Sequence, residues 1–134
     1  MEQRDYILRE IEKISILLLA LIGKLKSLTQ NKLFEQERGM IDDQLEEFTG
    51  MDIDKLLSLS HEELRSSLGK EKGFDLSNLE NLSELLTLMA DRMNLEEAIM
   101  ANSKALLILE WIDEESKTFS LERRSRMMEI KDKI

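Results

Sequence analysis

The chain has 134 residues, a formal net charge of −9, no cysteine, no proline and no valine. Without cysteine it has no disulfide framework and no thiolate metal site, and its acidic charge argues against binding of the whole molecule to nucleic acid. A chain of this length is typical of one domain, 1–134, and a composition rich in leucine, glutamate, lysine and methionine favours helices over strands, so the predicted fold class is all-α.

The first predicted helix covers about residues 3–28 and has more apolar surface than one neighbouring helix can cover. Its apolar residues keep the 4-3-4-3 spacing of a heptad seam, which brings them onto one face. The seam consists of Ile7, Ile11, Ile14, Leu18, Leu21, Leu25 and Leu28. Between residues 14 and 22 the helix is apolar on almost every side, and such a helix must be covered on every side.

This surplus predicts a homodimer in which the first helix supplies much of the contact. The residues assigned to the interface are Ile7, Ile11, Ile14, Leu18, Leu21 and Leu25. The alternative is a monomer in which this helix lies at the centre of the fold. The apolar run 14–22 is too short to span a bilayer, and the absence of cysteine fits a reducing compartment, so we expect a cytoplasmic protein without membrane contact.

A short polar break at residues 29–31 separates the first helix from a second, predicted over about 32–48. Thr49 and Gly50 are a stop signal for this second helix, because glycine commonly follows the last helical turn. Further along, the segment 69–73 reads Gly-Lys-Glu-Lys-Gly. It is the most loop-like part of the chain and predicts a hinge between two helical halves.

Two short helices are predicted between the second helix and this hinge. Asp52 is a suitable N-terminal cap for the first of them, over about 53–59. Ser60 caps the other, which ends at the first glycine of the hinge. Because Glu63 follows Ser60 by three residues, the two side chains complete a capping box.

Three longer helices are predicted in the second half of the chain. They are a helix over about 78–93 capped by Asp75 or Ser77, a helix over about 95–117 after a turn at Asn94, and a helix over about 121–133 capped by Ser120. The prediction is therefore five longer and two short helices. Short loops between them favour a helical bundle or stacked antiparallel hairpins.

The part of the chain over 82–112 resembles a tetratricopeptide-type helical hairpin. The residues that carry the likeness are Leu82, Leu85 and Leu86 in the first helix, and Ala98 with the run Lys104-Ala105-Leu106-x-Ile108 in the second. The tyrosine and the small residue typical of the first helix and the closing proline are missing. The opening Asp5-Tyr6-Ile7-Leu8-Arg9-Glu10-Ile11 is similar to that of small uncharacterised bacterial proteins with tetratricopeptide-like helices. This resemblance implies a bacterial all-helical protein and assigns no functional residue.

Such a hairpin also suggests an adaptor or regulator that holds a partner peptide in a helical groove. The candidate residues are Asn102, Lys104 and Trp111, expected as an exposed row. The stretch from Lys117 to the end holds six basic and three acidic residues. This basic tail either pairs with acidic neighbours within the chain or docks on an acidic partner, and the sequence leaves both open.

No residue pattern for catalysis or for a cofactor is present. His61 is the only histidine, and Arg65 stands where a zinc-protease helix needs its second histidine. Asp52, Asp54 and Glu63 imitate three ligand positions of a calcium loop, but leucines occupy positions that need a glycine and an oxygen ligand. We therefore expect no metal, no cofactor and no enzymatic activity, with a small enzyme as the remaining alternative. The predicted function is non-enzymatic protein–protein interaction or scaffolding.

Overall fold

A computed structural model describes residues 2–28, 35–71 and 73–134, and within these ranges the chain is all-α, as predicted. Seven helices are present in the described ranges. They are α1 (Glu2–Ser27), α2 (Glu35–Thr49), α3 (Ile53–Ser58), α4 (His61–Lys70), α5 (Leu76–Ala90), α6 (Leu95–Ser116) and α7 (Leu121–Lys133). The predicted number of helices is confirmed, although α4 reaches ten residues, so only α3 is short. The predicted break at 29–31 lies outside the described residues.

The helix starts follow from local hydrogen bonds that the sequence specifies. The Asp52 carboxylate accepts from the backbone N–H of Lys55 at 2.8 Å, which caps α3. Ser60 and Glu63 form the predicted capping box of α4, each side chain accepting from the other residue's backbone N–H. Asp75 rather than Ser77 caps α5. These bonds satisfy backbone donors that the first helical turn leaves unpaired.

Helix α5 is the centre of the fold. Its residues Leu82, Leu85, Leu86 and Met89 have at most 1% of their surface exposed. It packs against α1 on one side and against α6 on another, while α7 packs on α6. Alanines of α6, Ala101 and Ala105, are fully buried, and such small side chains allow helix axes to approach closely.

The heptad seam of α1 faces this core. Ile14, Leu18, Leu21 and Leu25 are all buried in the same apolar cluster as the α5 leucines. Ile7, in the first turns of the helix, is only half-buried. The seam is therefore covered by the chain's own helices, above all by α5.

Gly73 and Asn78 join α1 to the start of α5. The Asn78 carboxamide is fully buried and donates to the backbone carbonyls of Ile11, at 2.9 Å, and of Gly73, at 2.7 Å. Gly69 lies inside α4, and residue 72 of the predicted hinge 69–73 lies outside the described residues. The hinge stays a prediction.

The N-terminal half is tied to α6 by an arginine of α2. The Arg38 guanidinium donates to the Glu97 carboxylate at 2.6 Å and to Asp54 at 2.9 Å. Asp42 of the same helix accepts from the backbone N–H of Ile53 at 3.0 Å. These polar contacts orient α2 and α3 relative to the N-terminus of α6.

Candidate interaction surface

Opposite its buried seam, α1 presents a face of large apolar side chains to solvent. Ile16 is 63% exposed and Leu19 is 53% exposed, and Ala20 and Leu8 are also exposed. We call these four residues the outer face of α1. Leu19 and Ala20 follow Ile16 by three and four residues and Leu8 precedes it by eight, which puts all four on one side of the helix. Large aliphatic side chains exposed together in this way mark an interaction site more often than isolated ones do.

A groove between α1 and α2 continues this face. It has a volume of about 600 Å³ and is lined by Lys13, Ile16, Leu17, Ala20, Gln44 and Glu47. The α1 wall is apolar except for Lys13, and the α2 wall is polar. The outer face and the groove together form one continuous surface that a second helix can contact.

The six residues predicted for a dimer interface lie on the other side of α1. Ile14, Leu18, Leu21 and Leu25 are inside the fold, while Ile7 and Ile11 are half-buried. An association through α1 that leaves the fold intact must use the outer face instead. The sequence already contained this signal, because Ile16, Leu19 and Ala20 fall outside the 4-3-4-3 spacing of the seam.

A second concave surface surrounds the single tryptophan. It has a volume of about 170 Å³, and its lining is His61, Leu64, Arg65, Leu107, Glu110, Trp111 and Glu114. The Arg65 guanidinium lies over the Trp111 ring, 5.3 Å from its centroid, and donates to Glu114 at 2.9 Å. The contact between α4 and α6 was not foreseen from the sequence, because it joins residues 46 positions apart.

The residues predicted to share a groove with Trp111 are not all on that side of α6. Lys104 precedes Trp111 by seven residues, close to two helical turns, so the two lie on the same side. Asn102 precedes it by nine residues and lies on the opposite side, where it is only 4% exposed. Its side-chain oxygen has no hydrogen-bond partner among the described residues. Asn102 is therefore a core residue and does not line the tryptophan surface.

The basic tail docks within the chain. Arg123 of α7 is buried and donates to the Asp113 carboxylate at 2.6 Å and to the backbone carbonyl of Thr118 at 2.9 Å. Arg126 lies 3.4 Å from Glu84 and 3.7 Å from Glu80 of α5. Of the two interpretations of the tail, pairing with acidic neighbours in the chain is the one observed.

In the part of the chain that the structure describes, no three side chains of histidine, cysteine, aspartate or glutamate are grouped so that they could hold a metal ion. His61 is exposed at the start of α4. None of the helices in these ranges is both long and apolar enough to cross a membrane.

Comparisons with known protein families, with curated proteins and with solved structures give no match. Helices α5 and α6, which contain the stretch similar to a tetratricopeptide hairpin, do pack against each other across the four-residue connection 91–94. Paired helices of this kind occur in many all-α folds. The resemblance, and the bacterial origin that it implies, stay predictions.

Proposed function

We propose that this chain is a non-enzymatic interaction or scaffold protein that associates with copies of itself through the outer face of α1. The observation that carries the proposal is the exposure of Ile16 and Leu19 beside the apolar wall of the α1–α2 groove. Covering this surface removes apolar area from water, at a gain of about 25 cal/mol for each Å². We assign the protein to the cytoplasm, without nucleic acid, membrane or cofactor as partners.

The first test is the solution mass of the wild-type chain over a concentration series, measured by light scattering after size exclusion. We expect the mass to rise from 15.7 kDa towards twice that value as the concentration increases. A typical stable interface buries roughly 800 Å² per partner, and we expect a dimer held by one helix face and one groove to dissociate on dilution. A mass of 15.7 kDa at every concentration would contradict the proposal.

The second test places a charge on the outer face. Ile16→Glu should leave the helical content unchanged, because the side chain is mostly in water, and should hold the protein in its monomeric form. Met128→Glu in α7 is the matched control, because Met128 is also 63% exposed and lies on a different helix. Equal effects of the two substitutions on the mass would argue against a self-interface on α1.

The surface around Trp111 supports a second candidate function, an adaptor that binds a partner peptide. Tryptophan and arginine are both enriched among residues that dominate binding energy, and here Arg65 stacks on the indole ring. Lys104, on the same side of α6, extends the surface towards the N-terminus of that helix. Asn102 has no part in this candidate function because it is buried.

This second function is tested by selecting peptides from a displayed library against the wild-type chain. Because Trp111 is the only tryptophan, its fluorescence reports binding directly. Selected peptides should change this emission and should bind at least tenfold more weakly to Arg65→Ala. Peptides that bind Arg65→Ala as well as the wild type would exclude this surface as the groove.

A further inference from the structure

We propose that α7 is exchanged between two copies of the chain, so that α7 of each copy packs on α5 and α6 of the other. In this arrangement α6, the connection 117–120 and α7 join into one long helix. The exchange does not use the outer face of α1, and it therefore goes beyond the proposed function. It rests on the structure of the hairpin that α6 and α7 form.

The contacts that hold α7 to the rest of the fold are side-chain contacts that a second copy supplies equally well. Arg126 lies 3.4 Å from Glu84 of α5, and the Lys133 ammonium lies 3.4 Å from the Asp91 carboxylate at the end of α5. Two apolar side chains of α7 are also buried. Because these contacts do not need the connection 117–120, the same surfaces fit together when α7 belongs to another copy.

The connection holds one residue in an unfavourable backbone conformation. Lys117 has a φ of 53° and lies in the left-handed region, and among the described residues it is the one non-glycine residue with a positive φ. In this region the Cβ atom lies too close to the following carbonyl oxygen, which costs free energy. In one long helix Lys117 takes the ordinary helical conformation, so exchange removes the cost. Short connections under strain favour exchange of this kind.

The sequence across the connection is compatible with an uninterrupted helix. The segment 113–124 contains neither glycine nor proline, the two residues that most disfavour a helix interior. Steps of three or four residues lead from the buried side of α6 through the connection to the buried side of α7, so in one long helix these residues share a side. The series is Leu109, Ile112, Ser116, Phe119, Arg123, Met127 and Ile130.

Phe119 is 69% exposed in the hairpin, although it belongs to this series. Arg123 pairs with Asp113 across the hairpin, and in the exchanged dimer it pairs with Asp113 of the other copy. The twofold axis then passes near residue 118, midway between the two. Phe119 of each copy lies one residue from this axis and on the same side of the helix pair. Exchange thus brings two aromatic rings together that a single chain leaves in water.

Cross-linking across the α7 contact distinguishes an exchanged dimer from any other dimer, because the chain has no cysteine of its own. The variant carries Asp91→Cys and Lys133→Cys together and is refolded from urea over a range of protein concentrations. A short bis-maleimide then joins the two positions, and the products are separated under denaturing conditions. Exchange predicts a covalent dimer whose share rises with the refolding concentration. Products of single-chain mass at every concentration would overturn the inference.

Lys26→Cys with Glu84→Cys is the matched control, because this pair joins α1 to α5 at 3.0 Å and neither helix is exchanged. The control should give products of single-chain mass, and an equal yield of covalent dimer would overturn the inference. A dimer through the outer face of α1 leaves the Asp91–Lys133 pair within one chain. Adding Ile16→Glu to the first variant should therefore leave its yield of covalent dimer unchanged. Loss of that product would assign the contact to α1 and overturn the exchange.

Substitution of Lys117 tests the connection. Glycine takes the left-handed conformation without a steric cost and disfavours a helix interior, and each dimer contains two connections. Lys117→Gly should therefore lower the dimerisation constant roughly tenfold or more. Lys117→Ala removes the same charge but keeps the steric cost, so it should leave the constant unchanged or raise it. Equal yields of covalent dimer from the two variants would overturn the inference.

The exchange and the proposed association through α1 can fail separately. If the mass of the native chain rises reversibly with concentration while the Asp91–Lys133 variant gives products of single-chain mass, association through α1 stands and the exchange falls. If refolding gives the covalent dimer while the mass of the native chain stays at 15.7 kDa at every concentration, the exchange stands and association through α1 falls.

Discussion

Gly73 occupies a position where a side chain has no room. A Cβ at this position would meet the Cδ1 atom of Ile14 and would lie 2.8 Å from the backbone carbonyl oxygen of Glu10. Both contacts belong to α1, and the Gly73 carbonyl also accepts a hydrogen bond from Asn78. The glycine therefore lets the start of α5 lie directly on α1, and the close approach of two backbones is the reason for it.

We predict that Gly73→Ala lowers the free energy of unfolding by about 1–3 kcal/mol, because the added methyl group forces α1 and the loop apart. Urea denaturation followed by circular dichroism measures the change. Gly39→Ala is the control, since nothing lies within 4 Å of its Cβ position inside α2. That variant should be about 0.5–1 kcal/mol more stable than the wild type. A loss of stability in both variants would show that steric contact is not the cause.

At the scale of single elements, a buried arginine is one of the contacts that hold α7 to the fold. Arg123 donates to Asp113 at the end of α6 and to the carbonyl of Thr118 in the connection between the two helices. Most of the α7 surface is polar, and Met127 and Ile130 are its buried apolar side chains. The position of this helix therefore depends on the arginine contacts together with a small apolar area.

Replacing this arginine should loosen α7. We predict that Arg123→Ala lowers the free energy of unfolding by about 1.5–3 kcal/mol, because the Asp113 carboxylate loses a charged hydrogen-bond donor. The adjacent Arg124 is exposed and lies over the Phe119 ring, 5.7 Å from its centroid, so Arg124→Ala should lower stability by at most about 0.5–1 kcal/mol. Hydrogen exchange of the α7 amides gives a second measurement, and unchanged protection in Arg123→Ala would contradict this role.

Helix α2 is connected to α6 and α3 through two carboxylates whose pKa values shift in opposite directions. The hydrogen bond from Arg38 lowers the pKa of Glu97. Burial raises the pKa of Asp42, and the hydrogen bond from the Ile53 backbone N–H offsets part of this effect. A lowered pKa in the folded state adds stability above the ordinary glutamate value of about 4.3, and this stability is lost as the pH falls. The raised pKa of Asp42 has the opposite effect. It lowers the stability of the folded state at neutral pH, and this loss disappears as the pH falls.

The two carboxylates therefore make opposite predictions at neutral pH. Glu97→Gln should be less stable than the wild type, and Asp42→Asn should be more stable. Both differences should shrink on acidification through the carboxylate range, because the wild-type side chains then become neutral as well. Denaturation in urea at several pH values between 3 and 7 measures both effects. If both variants were more stable than the wild type at neutral pH, or both less stable, the opposite directions of the two pKa shifts would be contradicted.

At the scale of the whole molecule, the fold depends on which side of α1 faces inwards. Leu18 is fully buried against the core, and its neighbour Leu19 is 53% exposed. The two residues have the same side chain and adjacent positions on one helix. Their different surroundings are a consequence of how α1 packs on α5.

This contrast predicts very different costs for the same substitution. Leu18→Ala should lower the free energy of unfolding by about 2–5 kcal/mol, because it leaves a cavity in the core. Leu19→Ala should change it by less than about 0.5 kcal/mol, since it removes mostly solvated surface. Denaturation at a concentration low enough to keep the protein monomeric measures both values. Similar losses in the two variants would show that α1 is packed on both sides within one chain.

Much of the fold was predictable because it depends on interactions between residues near each other in the chain. The capping residues Asp52, Ser60 and Ser120 act on backbone groups three residues away, so their pattern can be read directly. The interaction surface was harder to predict from the sequence. The apolar segment 14–22 indicated surplus apolar area, but it did not distinguish the side covered by α5 from the outer face.

The sequence by itself therefore determined the all-α class, the number of helices in the described ranges and the caps that begin them, because helical periodicity and capping are local. The tertiary structure decided that the heptad seam lies inside, that Asn102 and Arg123 are buried, and that Arg65 stacks on Trp111. These facts follow from the packing of helices far apart in the chain. The spacing of apolar residues in the sequence shows which face of a helix is apolar. Which helix covers that face depends on how all the helices pack together to bury apolar surface.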